Sequence, residues 1–382
     1  MQLIVASIPL FFILIGIELV FALVLERRVY RFADSFADLG CGMVEQLLGV
    51  LVKGALFAVY LAIYANARLF NLPADSWLVF VTCFIGVDFL YYWFHRTSHE
   101  IGAFWAAHSV HHQSEEYNLT VALRQGAFQG FFSWMFYLPL ALLGFSPPTF
   151  ITCSALNTLY QFWIHTRLIG KLGPLEWVFN TPSHHRVHHG RNPRYIDRNH
   201  AGALIVWDRM FGTFVPETDE PVYGIVKPLN SVNPLWANFA GWVDLWNVAR
   251  RTRSLADRLA PLIAAPGWRP KELGGPLRPP EVTRELAPPT EFPVSPWRAA
   301  YVFLNLIAIL GTTSLLLARA QVIDRMTFSV LAGVIILSLV VLSSLLEGRP
   351  AGRVVEVGRV LLLLVLGSAF GPGLLGRFFG NS

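Results

Sequence analysis

The stretch LVFVTCFIGVDFLYYWFHRTSHE, Leu78 to Glu100, decides the fold. Residues 78–94 are apolar but for Thr82 and Asp88, and as a helix they cross most of a bilayer core of about 30 Å. His95 and His99 follow at i and i+4, on one face of the same helix. A predicted membrane span therefore runs straight into a pair of imidazoles. Asp88 lies seven residues before His95, two turns away on a similar face, and an acid inside a span is a functional candidate by default.

The whole chain agrees with that start. Of its 382 residues 54% are hydrophobic and only 14% charged, with a mean hydropathy of +0.48, where a soluble domain carries about 25% charged residues. An ordinary soluble enzyme is excluded, and the apolar excess falls in blocks of about 20 residues, the length of a spanning helix. The net charge is +5, yet no basic run is interleaved with aromatics, so nucleic acid is not an expected partner. Cys41, Cys83 and Cys153 are too widely spaced for a disulfide framework or a CxxC site, so any metal must be held by other ligands. Arginine outnumbers lysine 26 to 4, a usage common in GC-rich bacterial genomes.

Spans are predicted over 3–25, 43–66 and 78–94, and a helical hairpin over 127–146 and 149–165, turned by FSPPT. Glu26, Arg27, Arg28 and Arg31 follow the first span, which places the N-terminus outside by the positive-inside rule. That span is read as a retained helix rather than a cleaved signal. Residues 166–297 contain no convincing span and 16 of the 30 basic residues, which fits a cytosolic segment. Ten of the 24 prolines fall between Pro261 and Pro296, which reads as an extended linker. Further spans are expected over 298–318, 327–346 and 357–379. The resulting division is N-terminal transmembrane helices over 1–77, a histidine-motif catalytic region over 78–225, a Pro-rich cytosolic segment over 226–297 and C-terminal transmembrane helices over 298–382. The expected fold class is all-α, a polytopic membrane helix bundle with a cytosolic, histidine-rich di-metal cap.

All 11 histidines lie between residues 95 and 200. HRTSH places His95 and His99 on one helical face, HSVHH groups His108, His111 and His112, and HRVHH groups His185, His188 and His189. Eight imidazoles in three such motifs exceed what one tetrahedral zinc uses, so two metals are the economical reading. A metal transporter would hold its ligands near the bilayer midplane rather than at the ends of spans. A zinc hydrolase would show HExxH, whereas HRTSHE puts Glu100 after the second histidine.

Those motifs, with an isolated histidine in QFWIHT between the second and third, resemble the membrane-bound fatty acid hydroxylase and sterol desaturase superfamily. YYWFHRTSHE, EEYNLTVALRQ, LYQFWIHT, NTPSHHRVHHGRNPRYIDRN and WDRMFGTF are most similar to its ether-lipid-cleaving branch, the alkylglycerol monooxygenases. The likeness is strong over 85–225 and looser outside. It implies a di-iron centre, two Fe, that uses O2 to hydroxylate the ether-linked carbon of an alkylglycerol, giving a fatty aldehyde and a glycerol derivative. The alternative within the superfamily is a hydroxylase or desaturase of another lipid, such as a sterol, fatty acyl or acylated amino-acid lipid.

Carried over by position, the resemblance implies His95, His99, His108, His111, His112, His165, His185, His188 and His189 as iron ligands, with His184 completing the family's HHxxHH run. At His200 the family's animal members usually have Tyr, so it is not counted among the ligands. Glu100 matches an acidic position that orients a ligand histidine, and with Asp88 it is the expected catalytic carboxylate. Asn118, Arg124 and Arg191 are expected to bind a head group or cofactor, and Trp207, Asp208 and Phe214 to anchor the cap at the membrane. The chain carries no GxGxxG, cysteine cluster or haem motif, so electrons must come from an external donor. The resemblance implies tetrahydrobiopterin, or an electron-transfer protein as elsewhere in the superfamily. The expected location is a bacterial cytoplasmic membrane, or endoplasmic reticulum in a eukaryote, with the histidines facing the cytosol.

Overall fold

The computed structural model describes residues 2–379, with side chains over residue 3 and residues 6–368. Among the described residues there is no strand, only an isolated bridge between Phe179 and Leu204. The fold is all-α, as expected.

Three long helices come first, α1 Gln2–Val24, α2 Phe32–Ala67 and α3 Trp77–Glu100. Helix α4, Gly102–His112, turns away at once. Helix α5, Pro147–Trp163, is the return leg of the expected hairpin, capped by the Ser146 hydroxyl and opened by two prolines where no N–H is needed. Its outgoing leg is broken into Gly130–Ser133, Trp134–Tyr137 and Leu138–Leu143, the last restarted at Pro139, which cannot donate into a preceding turn. The third histidine motif lies on α6, Pro182–His188. Helices α7 Pro234–Ala249 and α8 Leu255–Ile263 pack against α4. Helices α9 Pro296–Ala318, α10 Arg325–Leu346 and α11 Gly352–Phe379 end the chain.

Among the described residues five helices are long and apolar enough to cross a membrane, the segments Ala6–Val24, Phe32–Ala67, Trp77–Glu100, Pro296–Ala318 and Arg325–Leu346. This is an integral membrane protein. The expected span over 357–379 lies in α11, where side chains from 369 onward are outside the described residues.

Lipid tails are as apolar as leucine, so the spans associate by packing rather than by escape from water. One core joins Phe36, Val44 and Leu47 of α2 to Leu306 of α9 and to Phe328, Leu339 and Leu342 of α10. A second joins Tyr60 of α2 and Val79, Cys83 and Val87 of α3 to Leu140, Phe150 and Cys153 of the hairpin. At 36 residues α2 is about 54 Å long, more than a bilayer requires. It begins well before the expected residue 43 because its first turns are held by protein: Asp38 is fully buried and paired with Arg124.

The Pro-rich segment is not an extended linker. Ala264 O accepts from Gly102 N at 2.8 Å, Arg284 pairs with Glu116 at 2.5 Å, and Thr290 N donates to Glu115 at 2.5 Å. Proline fixes the chain in a strap, and Glu115 and Glu116, just after the second motif, tie it across the histidine end of the bundle.

Candidate metal centre

The end of α3, α4, the end of α5 and α6 converge at one end of the bundle. Helix α4 is gripped closely, because a Cβ at Gly102 would stand 2.0 Å from Pro261 O and one at Gly126 would stand 2.1 Å from Ala107 O. Only glycine permits that approach of backbone to backbone.

The convergence sorts nine histidines into two buried clusters. His95, His99, His108, His112 and His188 form one, and His111, His165, His185 and His189 the other; within each, the ligand-type atoms lie within 4.8 Å of one another. The second motif is split, because His108 and His112 are one turn apart and face the first cluster, while His111 faces the second. His188 and His189 divide likewise.

The rings point inward. The Nε2 atoms of His95 and His108 are 3.0 Å apart and those of His112 and His108 3.2 Å; in the other cluster His185 and His165 are 3.0 Å apart and His165 and His111 3.3 Å. Neighbouring nitrogens about 2.1 Å from a shared metal stand about 3.0 to 3.4 Å apart, so the spacing suits coordination. The buried Nε2 atoms of His99, His188 and His189 have no protein partner, as expected of atoms that await a metal.

Six of the nine rings are aimed from behind. His95 Nδ1 is 2.8 Å from His200 O, His188 Nδ1 2.9 Å from Arg198 O, His111 Nδ1 2.8 Å from Arg124 O and His165 Nδ1 2.7 Å from Gln161 O. His108 Nδ1 is 2.7 Å from Gln129 Oε1, and His99 Nδ1 is 3.4 Å from Asp197 Oδ1. A carbonyl accepts only from Nδ1–H, so Nε2 is left free to bind a metal. The turn over 197–200 supplies three of these partners, with Asp197 and Asn199 at φ of 56° and 55°, a conformation that Asp and Asn tolerate better than other side chains.

Burial keeps these rings neutral. The His108 and His165 imidazoles are both lowered to about 4, desolvation outweighing their hydrogen bonds. His111, His112, His185, His188 and His189 are lowered further by burial and by neighbouring histidines. The donor set is thus nine uncharged nitrogens, which fits two divalent transition metals.

The other expected site residues lie elsewhere. His184 is outside both clusters, its Nε2 3.9 Å from Glu176. His200 is fully buried beside the first cluster, its ring centroid 5.1 Å from that of His99. Glu100 is half-exposed and pairs with Arg96 at 2.8 Å. Asp88 accepts from Asn157, Ala203 N, Leu204 N and Trp207 Nε1 at 2.6 to 3.0 Å, so it pins the loop after the third motif and makes no hydrogen bond to a histidine. Asp208 braces the same loop by accepting from His200 N and Ala201 N, both at 2.8 Å.

Two of the three expected binding residues are structural. Asn118 donates to Val29 O and accepts from Thr120, and Arg124 is fully engaged by Val110 O, Asp38 and Gln113. Arg191 alone lines a cavity of about 770 Å³ that reaches His99, His112, His188 and His189 and so touches both clusters. Gln129 and Asp197 were not among the expected site residues, since neither stands in a motif that announces a metal; their role depends on which ring they meet.

The fatty acid hydroxylase family model matches residues 80–213, which include all nine clustered histidines. The chain is 42% identical to the alkylglycerol monooxygenase of Xenopus tropicalis over 369 residues, 93% of this chain and 80% of that one. It is 39% identical to the alkylglycerol monooxygenase of Homo sapiens over 362 residues, 94% and 81% of the two chains. An ornithine lipid hydroxylase of Rhizobium tropici is 29% identical over 148 residues, 37% and 44%. No solved structure matches the chain. Because the likeness extends far beyond the histidine motifs into the strap and the C-terminal spans, the chain belongs to the alkylglycerol monooxygenase family.

Proposed function

We propose that this membrane monooxygenase uses O2 to hydroxylate the ether-linked carbon of alkylglycerol lipids, releasing a fatty aldehyde and a glycerol derivative. The observation that carries the reading is the division of nine neutral histidines into buried sets of five and four that share one cavity. We assign both sets to iron. Bound iron supplies the oxygen activation that an unactivated C–H bond requires.

The residues of the chain do the rest. The Nε2 atoms of the nine histidines hold the metals, and the carbonyls of Arg124, Gln161, Arg198 and His200 with Gln129 and Asp197 fix six of the rings. Asp88 and Asp208 keep the 197–207 loop at the depth that meets His95 and His188. The cavity brings the substrate to the two sets, with Trp105, Val243 and Leu245 along its wall and Arg191 near the metals.

One oxygen atom enters the C–H bond and the other leaves as water, so two electrons and two protons come from outside. Tetrahydrobiopterin, or an electron-transfer protein, is the external donor. Arg27, Arg28 and Arg31 flank α1 at the histidine end of the bundle, and the positive-inside rule supports assigning the site to the cytosolic face of a cytoplasmic membrane.

The test is twofold. Anaerobically purified protein should contain close to two irons per chain, and with alkylglycerol, O2 and tetrahydrobiopterin it should form fatty aldehyde. One zinc or none in active protein sinks the di-iron reading. Loss of the gene should raise ether lipids; unchanged ether lipids with loss of another hydroxylated lipid would favour a reaction like that named for the Rhizobium tropici relative.

A further inference from the structure

Helices α7 and α8 close the cavity on one side, and their outer surface has no partner among the described residues. Leu255 is 71% exposed, Leu259 56% and Ile263 75%, all on one arc of α8, and Trp246 of α7 is 66% exposed. Arg250 and Arg251, which also line the cavity, and Arg253 and Arg258 are exposed on the intervening turn and on α8, with the half-buried Asp257 as the acid between them in sequence. Apolar and aromatic side chains bordered by arginines are the composition of a helix that lies in the headgroup layer of a membrane.

The level of these helices is set by the spans. The chain just past α8 is bonded to the first residue of α4, directly after α3, with Ala264 O accepting from Gly102 N. The chain just before α7 is bonded to the end of α10, since Val232 N donates to Glu347 at 2.9 Å. Both anchors lie at the histidine-side ends of helices long and apolar enough to span a membrane. A water-soluble partner would leave this belt of leucine, isoleucine and tryptophan beside lipid with nothing to cover it. Four arginines against Asp257, with Asp244 of α7 paired to Lys227 at 2.6 Å, select an anionic leaflet.

We infer that α7 and α8 form a monotopic element seated in the anionic leaflet on the histidine side, and that the cavity opens along them to lipid. Val243, Leu245 and Val248 of α7 and Pro261 at the end of α8 line that cavity. A chain dissolved in the leaflet therefore passes to the metals without crossing water. The lipid-access part rests on the proposed function, while the seating of the helices does not.

The experiment uses the full chain in vesicles. Cys41, Cys83 and Cys153 are all buried, so a thiol introduced by Leu259→Cys or Ile263→Cys can be labelled selectively with bimane, with Glu220→Cys on an exposed loop as control. In phosphatidylcholine and phosphatidylglycerol vesicles that contain brominated lipid, labels at 259 and 263 should be quenched at least threefold more than the control, and iodide should give the reverse order. Equal quenching at the three positions, or shielding of 259 and 263 from both quenchers by a protein partner or second copy, overturns the inference. Bromolipid quenching that does not weaken when phosphatidylglycerol is omitted overturns its charge-selective part. The readout needs no turnover: failed quenching with normal aldehyde formation rejects this inference alone, and deep quenching without aldehyde rejects the enzymatic reading alone.

Discussion

His95 and His108 lie thirteen residues apart on helices that turn sharply at Ile101, yet their Nε2 atoms stand 3.0 Å from each other. Each ring is held from the opposite side, His95 by His200 O and His108 by Gln129. The pair is a coordination edge made from two helices and two supports, and it shows how the centre is built.

The two clusters are separable by metal content. His188→Ala, in the five-histidine set, and His111→Ala, in the four-histidine set, should each lower iron from about two to about one per chain and abolish aldehyde formation while the protein still inserts in the membrane. His184→Ala should keep both irons. Full activity in either of the first two variants would contradict the ligand assignment.

Gln129→Leu preserves volume and removes the acceptor at His108 Nδ1. Outer partners of ligand histidines are worth about 10- to 100-fold in metal affinity, so competition with a chelator should show a loss in that range at one iron of the two. An unchanged chelation curve would mean that packing alone orients His108.

Arg124→Met should lower stability by about 3 to 5 kcal/mol, because it leaves Asp38 buried without its charge partner. Arg124→Lys should rescue little, since one ammonium cannot reach Val110 O, Asp38 and Gln113 together. Thermal unfolding in detergent measures both, and a cofactor role would instead show as normal stability with weakened reductant binding.

Glu100→Gln should leave turnover within about twofold, because Glu100 makes only a partly exposed pair with Arg96, a contact worth about 0 to 1 kcal/mol. Asp88→Ala should cost about 2 kcal/mol or more by stranding buried donors at Ala203 and Leu204. Activity loss should follow that destabilisation, and an active, fully stable Asp88→Ala protein would remove the anchoring role.

Metal-stripped protein should lose stability as pH falls from about 6.5 towards 4. His108 and His165 stay neutral in the folded state down to about 4, whereas in the unfolded chain they take up protons near 6.5. The unfolded state therefore binds more protons across that window, and stability rises with pH. A melting temperature that is flat between pH 7 and pH 5 would show that the apo cluster is open to water.

Much of this was legible in residue order. The apolar blocks required membrane helices, since unpaired backbone cannot face lipid, and the i, i+3, i+4 spacing grouped the imidazoles within each motif. The same reasoning failed on the Pro-rich strap and did not show the buried partners that the structure gives Arg124, Asn118 and Asp88. Low periodicity did not reveal that Pro261 and Ala264 would meet Gly102, and a polar residue beside a motif looks the same whether it faces a ligand or a buried carbonyl.

By itself, then, the sequence determined that this protein is a membrane helix bundle with enough neutral imidazole for two metals, because helix period and hydropathy act over a few residues. Only the tertiary structure decided that His108 and His112 part company with His111, that His184 stands aside, and that Gln129 and Asp197 aim the rings. Those outcomes depend on helices brought together from distant parts of the chain, and the close backbone contacts at Gly102 and Gly126 that set the rotation of α4 exist only after they have packed.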